Sequence, residues 1–148
     1  MQKKISSTKR AYLAGFLDGD GSIYVRMKPN PTYKFGFQFA PSIILFQSSK
    51  ERKKFRELCS LIGVGYIRER NDGILEYTIN RKDAILTFLK FVKPYAILKR
   101  RQILLMEKIL GKKESVKNKK DFYQLALLVD AFRDLNYSKK RKKHKLTP

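Results

Sequence analysis

Cysteine and histidine each occur once, as Cys59 and His144. One thiol cannot close a disulfide within the chain, and neither residue has a Cys or His partner at metal-ligand spacing, so a disulfide framework and a structural zinc site are both excluded. Serine is present, but no histidine is placed to activate it, which removes a hydrolase triad. Long apolar runs are missing as well. None approaches the roughly 20 residues needed to span a bilayer, and no amphipathic segment separates from the body, so a membrane partner is not expected. Cys59 lies in the apolar stretch FRELCSLIG and no signal peptide is evident, which leads us to expect a reducing, intracellular compartment.

Acidic residues are the scarcest class relative to their opposites. Thirteen Asp and Glu face 34 Lys and Arg, for a formal charge of +21 over 148 residues. That exceeds what solubility requires and points to a polyanionic partner. The basic residues are not confined to a tail, because Arg26, Lys28, Arg52, Arg68, Arg70 and Lys99 all lie in patterned segments, a distribution that suits duplex nucleic acid. Apolar residues at 43% spread among these charges indicate a folded core. The length fits one domain, taken as residues 1–137, followed by a basic tail at 138–148 that carries Lys139 and Lys140.

Ser6, Ser7 and Thr8 offer caps to a helix from about residue 8 to 19, which Gly19 and Gly21 should end. From Ser22 to Phe46 β-branched and aromatic residues read as a long hairpin, broken at Pro29, Asn30 and Pro31. A second helix from Ser49 to about Ile62 precedes a second hairpin, 66–70 and 74–80, around Asn71, Asp72 and Gly73. Helical periodicity then covers 82–92, 97–110 and 121–135. The class is therefore α+β: a helix-strand-strand unit repeated twice, then C-terminal helices.

Within LAGFLDGDG, Leu13 to Gly21, the small residues Ala11, Gly15 and Gly19 recur every fourth position and form one stripe that lets two helix backbones approach closely. Asp18 and Asp20 fall at the helix C-terminus, where the macrodipole disfavours a carboxylate by about 0.3–1 kcal/mol. A divalent cation held by Asp20 and the Gly19 carbonyl would offset that penalty. The same residues do not make a calcium loop, since Ile23 and Pro29 occupy the positions that need Gly and Glu. Gly63-Val-Gly65 is likewise no dinucleotide fingerprint, because Arg68 stands where the third glycine belongs.

LAGFLDGDG resembles the signature of LAGLIDADG homing endonucleases, in the class with one motif per chain. The likeness extends through Lys28-Pro29-Asn30, the GVGYIRER passage at 63–70 and Lys99 after Pro94, over about residues 8–137. It implies an antiparallel, saddle-shaped, DNA-binding sheet and a homodimer whose motif helices pack together, with both Asp20 carboxylates beside each other beneath double-stranded DNA. Two like charges so close repel unless divalent cations sit between them and the phosphates. Magnesium is the expected ion, with Mn2+ or Ca2+ replacing it for binding.

The resemblance further assigns Gln47 and Lys99 to the catalytic set. Glu51 stands where relatives often carry a basic residue, which leaves Arg52 as the candidate for that role. It also implies cleavage at a long pseudo-palindromic site with 3′ overhangs, and a source among mobile introns of organellar or microbial genomes, a chloroplast or mitochondrion included. No small-molecule substrate is expected. Two other readings stay open: an RNA maturase or non-cutting binder of the same fold, and a basic architectural protein.

Strand alternation nominates the surface that reads DNA. Tyr24, Arg26, Lys28 and Asn30 share one parity, while Ile23, Val25 and Met27 face the core. Lys34, Gln38 and Ser42 join them from the second strand, with Thr32 and Tyr33 at the tip and Phe35, Phe37 and Phe39 turned inward. Arg68, Arg70, Glu76 and Thr78 form the matching set on the second hairpin.

Overall fold

Helix α1 forms because Ser6 caps it, its side chain accepting from the Lys9 amide at 3.3 Å, and because Leu13, Ala14 and Leu17 give it one buried face. It runs Ser7–Asp20 and passes directly into β1, Gly21–Pro29. This computed structural model describes residues 4–136. After β1 come β2 (Phe37–Ser48), a 3-10 turn at Ser49–Glu51, α2 (Arg52–Ser60), β3 (Tyr66–Glu69), β4 (Ile74–Ile79), α3 (Lys82–Val92), α4 (Arg100–Lys113) and α5 (Lys119–Leu135). The expected class and the doubled helix-strand-strand order hold. Lys139 and Lys140 lie outside the described residues.

The sheet order is β1-β2-β4-β3, with β2/β4 and β4/β3 antiparallel. Ile43, Leu45 and Gln47 stand opposite Ile79, Tyr77 and Leu75, on a face that is buried except at Gln47. The alternate face carries Ile44, Phe46, Glu76 and Thr78.

The described residues fall into two compact units, 4–22 with 42–100 and 23–41 with 101–136. The core of the first is built from Leu13, Leu17, Leu45, Leu75, Phe55 and the inner face of α3, Ile85, Phe88 and Leu89. In the second, Ile23, Val25, Met27 and Phe39 are buried, as are Ile103 and Met106 of α4 and Phe122, Val129 and Phe132 of α5. The Phe122 ring lies 5.1 Å from Phe35, 6.2 Å from Phe37 and 5.3 Å from Phe39, so one aromatic residue of α5 meets three alternate positions of the first hairpin.

Four boundaries differ from expectation. Gly19 lies inside α1, and Gly21 is extended at φ −113°, so the helix ends by running into a strand and not by a left-handed cap. The break in the long hairpin is wider than the proline pair indicated, with no strand between Pro29 and Phe37, because the Asn30 side chain builds a turn there. Ser48, not Ser49, caps the second helical stretch, accepting from the Lys50 amide at 3.3 Å. Helix α4 begins at Arg100, three residues later than the periodicity suggested, and continues past Gly111 to Lys113. The second hairpin turns where the sequence placed it, at Gly73 with φ +81°, a conformation other residues rarely adopt.

Cys59 is 4% exposed, and burial pushes its thiol from an ordinary 9.0 up to about 12. Burial raises the Tyr77 phenol as well. Both groups are held protonated in the fold, so their contribution to stability is intact below pH 9 and lost as the unfolded chain gains charge at higher pH. Native protein at neutral pH should react with a thiol reagent only as fast as it opens. Its urea midpoint should fall as pH rises above 9, less steeply in Cys59→Ala.

Candidate functional site

The end of α1 holds two carboxylates with opposite fates. Asp18 is fully engaged: Oδ2 accepts from the amides of Ile97 at 2.8 Å and Leu98 at 3.0 Å, and Oδ1 from the Lys99 amide at 3.0 Å. Lys99 answers with its side chain, Nζ donating to the Asp18 carbonyl at 2.6 Å. Asp20, two residues on, is exposed and makes no hydrogen bond or ion pair among the described residues. The sequence posed an electrostatic penalty for carboxylates at this helix end. Lys99 meets part of it, supplying a cation to a last-turn carbonyl that has no helical donor of its own.

Donor chemistry at this point suits a hard cation. Asp20 offers a carboxylate without a partner, and Gly19 is an exposed last-turn residue whose carbonyl belongs to the group helices leave unsatisfied. No group of three or more His, Cys, Asp or Glu gathers among the described residues.

Gln47, near the end of β2, is partly buried, and its Oε1 accepts from the Ser48 amide at 2.8 Å, leaving the NH2 without a partner among the described residues. Asp20, Gln47 and Lys99 all belong to the first unit. Arg52 belongs there too, but its guanidinium is committed to Glu69 at 2.8 Å. Glu51 sits 3.9 Å from Lys54.

The stripe Ala11, Gly15 and Gly19 is exposed, on the face of α1 away from Leu13, Ala14 and Leu17. A Cβ built at Gly15 or Gly19 meets nothing within 4 Å. Tyr12 on the same helix is 61% exposed, and Ile97 and Leu98 are 81% and 74% exposed. Asp18, Ile97 and Leu98 carry no functional signal in the sequence. The interval of about eighty residues between Asp18 and the amides it holds left no sequence signal that joined them.

On the first hairpin the alternation is observed, with Ile23, Val25 and Met27 buried and Arg26 and Lys28 exposed. Tyr24 and Gln38 are half-buried, and the Arg26 guanidinium lies 6.0 Å from the Tyr24 ring centre. Asn30 is a turn-former, its Oδ1 accepting from the Thr32 amide at 3.1 Å and the Thr32 hydroxyl at 2.7 Å. Thr32 and Tyr33 are exposed at the tip, and Lys34 Nζ reaches the Lys117 carbonyl at 3.4 Å. Phe35 and Phe37 are half-buried where a core position was expected, and only Phe39 is enclosed.

Two nominated residues are not on an open surface. Ser42 and Thr78 are each 8% exposed. Thr78 lies on the inner strand β4, flanked by Ile44 on one side and Tyr66 on the other, and these neighbours cover it. Arg68 and Arg70 are exposed but paired: Arg68 with Glu76 at 2.9 Å, Arg70 with Asp72 at 2.6 Å and Glu76 at 3.7 Å. Glu76 thus stands between both arginines.

Comparison with known proteins identifies the family. A family model described as LAGLIDADG endonuclease matches residues 13–110. The chain is similar to the DNA endonuclease I-CreI of Chlamydomonas reinhardtii, 36% identical over 96% of this chain and 87% of that one. It is also similar to the DNA endonuclease I-CvuI of Chlorella vulgaris, 33% identical over 90% and 83%. Among solved structures, I-CvuI bound to the I-CreI target with Mg present superposes with a TM-score of 0.85 at 32% identity, covering 91% of this chain and 86% of that one. The archaeal intron-encoded endonuclease I-Vdi141I bound to DNA gives 0.80 at 21% identity, a likeness of fold, over 93% and 89%.

The junction beside Asp20 is tight. A Cβ on Gly21 would lie 2.7 Å from Leu17 Cδ1 and 2.8 Å from the Leu17 carbonyl oxygen. Gly21→Ala should therefore cost about 1–3 kcal/mol in urea unfolding, whereas Gly15→Ala in the monomeric chain should be neutral or slightly stabilising.

Proposed function

Because this chain belongs to the LAGLIDADG endonuclease family, we propose that it is a site-specific double-strand DNA endonuclease, acting as a homodimer on a long, near-palindromic target and leaving 3′ overhangs. The observation that carries the reading is Asp20: an exposed carboxylate without a partner among the described residues, at the end of a helix that also presents a stripe of small residues to solvent. A second copy packed on Ala11, Gly15 and Gly19 brings two such carboxylates together, and two-fold symmetry in the protein asks for it in the target. Residues 1–137 then act as a single endonuclease domain.

Asp20 and the Gly19 carbonyl would hold a divalent cation, with magnesium the physiological choice for an all-oxygen set. When bound, such an ion neutralises phosphate charge and supplies an acidified water. The NH2 of Gln47 orients water by donating to it. Lys99 carries positive charge to the edge of the scissile phosphate, where negative charge grows in the transition state. Arg52 serves the second basic role only if it leaves Glu69.

Target reading falls to the hairpins. Arg26, Arg68 and Arg70 are suited to guanine edges, Lys28 and Lys34 to phosphate, and Tyr24, Gln38, Thr32 and Tyr33 to positioning and base contact. Asn30 acts chiefly by shaping the tip, and Lys139 and Lys140 of the tail add phosphate contacts. Glu76 must exchange its arginine partners for a base amino group when DNA arrives. A role at an intron site within an organelle accords with the reading, and no helix among the described residues is long and apolar enough to cross a membrane.

The test is magnesium-dependent cleavage of a randomised duplex library, with the cut ends sequenced and Asp20→Asn run alongside. Wild type should cut one long, near-palindromic sequence. Asp20→Asn should lose at least about 10²-fold in rate while binding that sequence. If neither protein cuts any duplex and both bind nucleic acid, the maturase or pure-binder reading replaces this one.

A further inference from the structure

The loop carrying Lys99 is held by very little of its own making. Ile97 and Leu98 are 81% and 74% exposed, so their side chains bury almost nothing within this chain, and the nearest buried residue before Lys99 is Ala96 at 5%. What does hold the segment is a set of hydrogen bonds. Three successive amides, at 97, 98 and 99, converge on one carboxylate, Asp18, at 2.8, 3.0 and 3.0 Å. From the other side Arg100 Nη1 donates to the Lys93 carbonyl at 2.8 Å.

The bonding between positions 18 and 99 is reciprocal. Asp18 accepts from the Lys99 backbone through its side chain and from the Lys99 side chain through its backbone, at 3.0 and 2.6 Å. Both ends of the lysine are therefore referred to one residue of α1. That residue precedes Asp20 by two positions on a helix anchored by Leu13, Ala14 and Leu17, so the placement of Asp18 is shared with Asp20.

We propose that Asp18 is a positioning residue for DNA cleavage: by gathering the 97–99 amides it sets where the Lys99 ammonium stands relative to the Asp20 carboxylate. The inference rests on the endonuclease reading above and adds to it a residue that touches neither phosphate nor metal. Asparagine at this position keeps one acceptor oxygen and replaces the other with an NH2 that cannot accept, so at least one of the three converging donors loses its acceptor and the exposed segment is loosened. The ammonium then loses its orientation, and a small misplacement of a charged group suffices to slow a reaction that depends on preorganised charge. A purely structural Asp18, capping the start of α4, would lower stability without acting through Lys99.

A double-mutant cycle on the full chain separates these roles. Single-turnover cleavage of the cognate duplex in magnesium, and binding to it in calcium, are measured for wild type, Asp18→Asn, Lys99→Met and the pair. Asp18→Asn should slow cleavage by about 10²-fold, leave the dissociation constant within about twofold, and cost less than about threefold in the Lys99→Met background. Asp18→Glu, which keeps two acceptor oxygens, should recover part of the rate; should Asp18→Asn fail to fold, the cycle is run with Asp18→Glu. Wild-type rates in the Asp18 variants, or an equal loss in both Lys99 backgrounds, would overturn the proposal while leaving the endonuclease reading intact. A wild-type chain that cuts no duplex overturns both.

Discussion

Helix α1 combines three features within fourteen residues that pull against its stability or sustain it. One face is apolar and anchors the helix through Leu13, Ala14 and Leu17. The opposite face carries the small, exposed residues Ala11, Gly15 and Gly19, which forgo side-chain burial. The C-terminal end carries two acids where the backbone dipole is already negative. Glycine within a helix costs about 1 kcal/mol relative to alanine, and this helix contains two, so its stability has to come from packing and from its ends.

The ends supply it through distant partners. The Ser6 side chain caps the start, and Lys99 caps an orphan carbonyl at the finish, drawn there by a loop that Asp18 itself holds. An acid that would repel the dipole is thereby converted into an acceptor for three amides, and a basic residue arrives as a consequence. Asp20 is left with no hydrogen bond or ion pair among the described residues. The division of labour between two acids separated by a glycine is chemical. One completes the fold, and the other is kept for what the fold meets.

Charge management on the second hairpin follows a similar logic. The chain carries +21 in all, yet Arg52, Arg68 and Arg70 are each matched with an acid. Exposed pairs of this kind add little to stability, about 0–1 kcal/mol each. What they do is occupy the guanidiniums: Arg68 and Arg70 share Glu76 and are not free charges on this hairpin. The first hairpin is stiffened differently, by the Phe122 ring against Phe35, Phe37 and Phe39.

Much of this was legible in the linear text. Period-two alternation marked Ile23, Val25 and Met27 as buried and Arg26 and Lys28 as exposed, because side chains on a strand point to alternate faces whatever surrounds them. Local periodicity located every α-helix and both hairpins, and the LAGFLDGDG motif singled out Asp20. Ser42 and Thr78 escaped that reasoning, since whether the second face of a sheet is open depends on which strands flank it, and β4 became an inner strand only through pairing with β2 and β3. The start of α4 escaped it as well, for the amides before Arg100 are taken by Asp18. The sequence by itself determined the elements and most of their faces, consequences of neighbours within a few residues. Tertiary structure decided which of two acids is spent and where Lys99 stands, because hydrogen bonds between residues about eighty positions apart depend on how the chain folds back on itself and not on spacing along it.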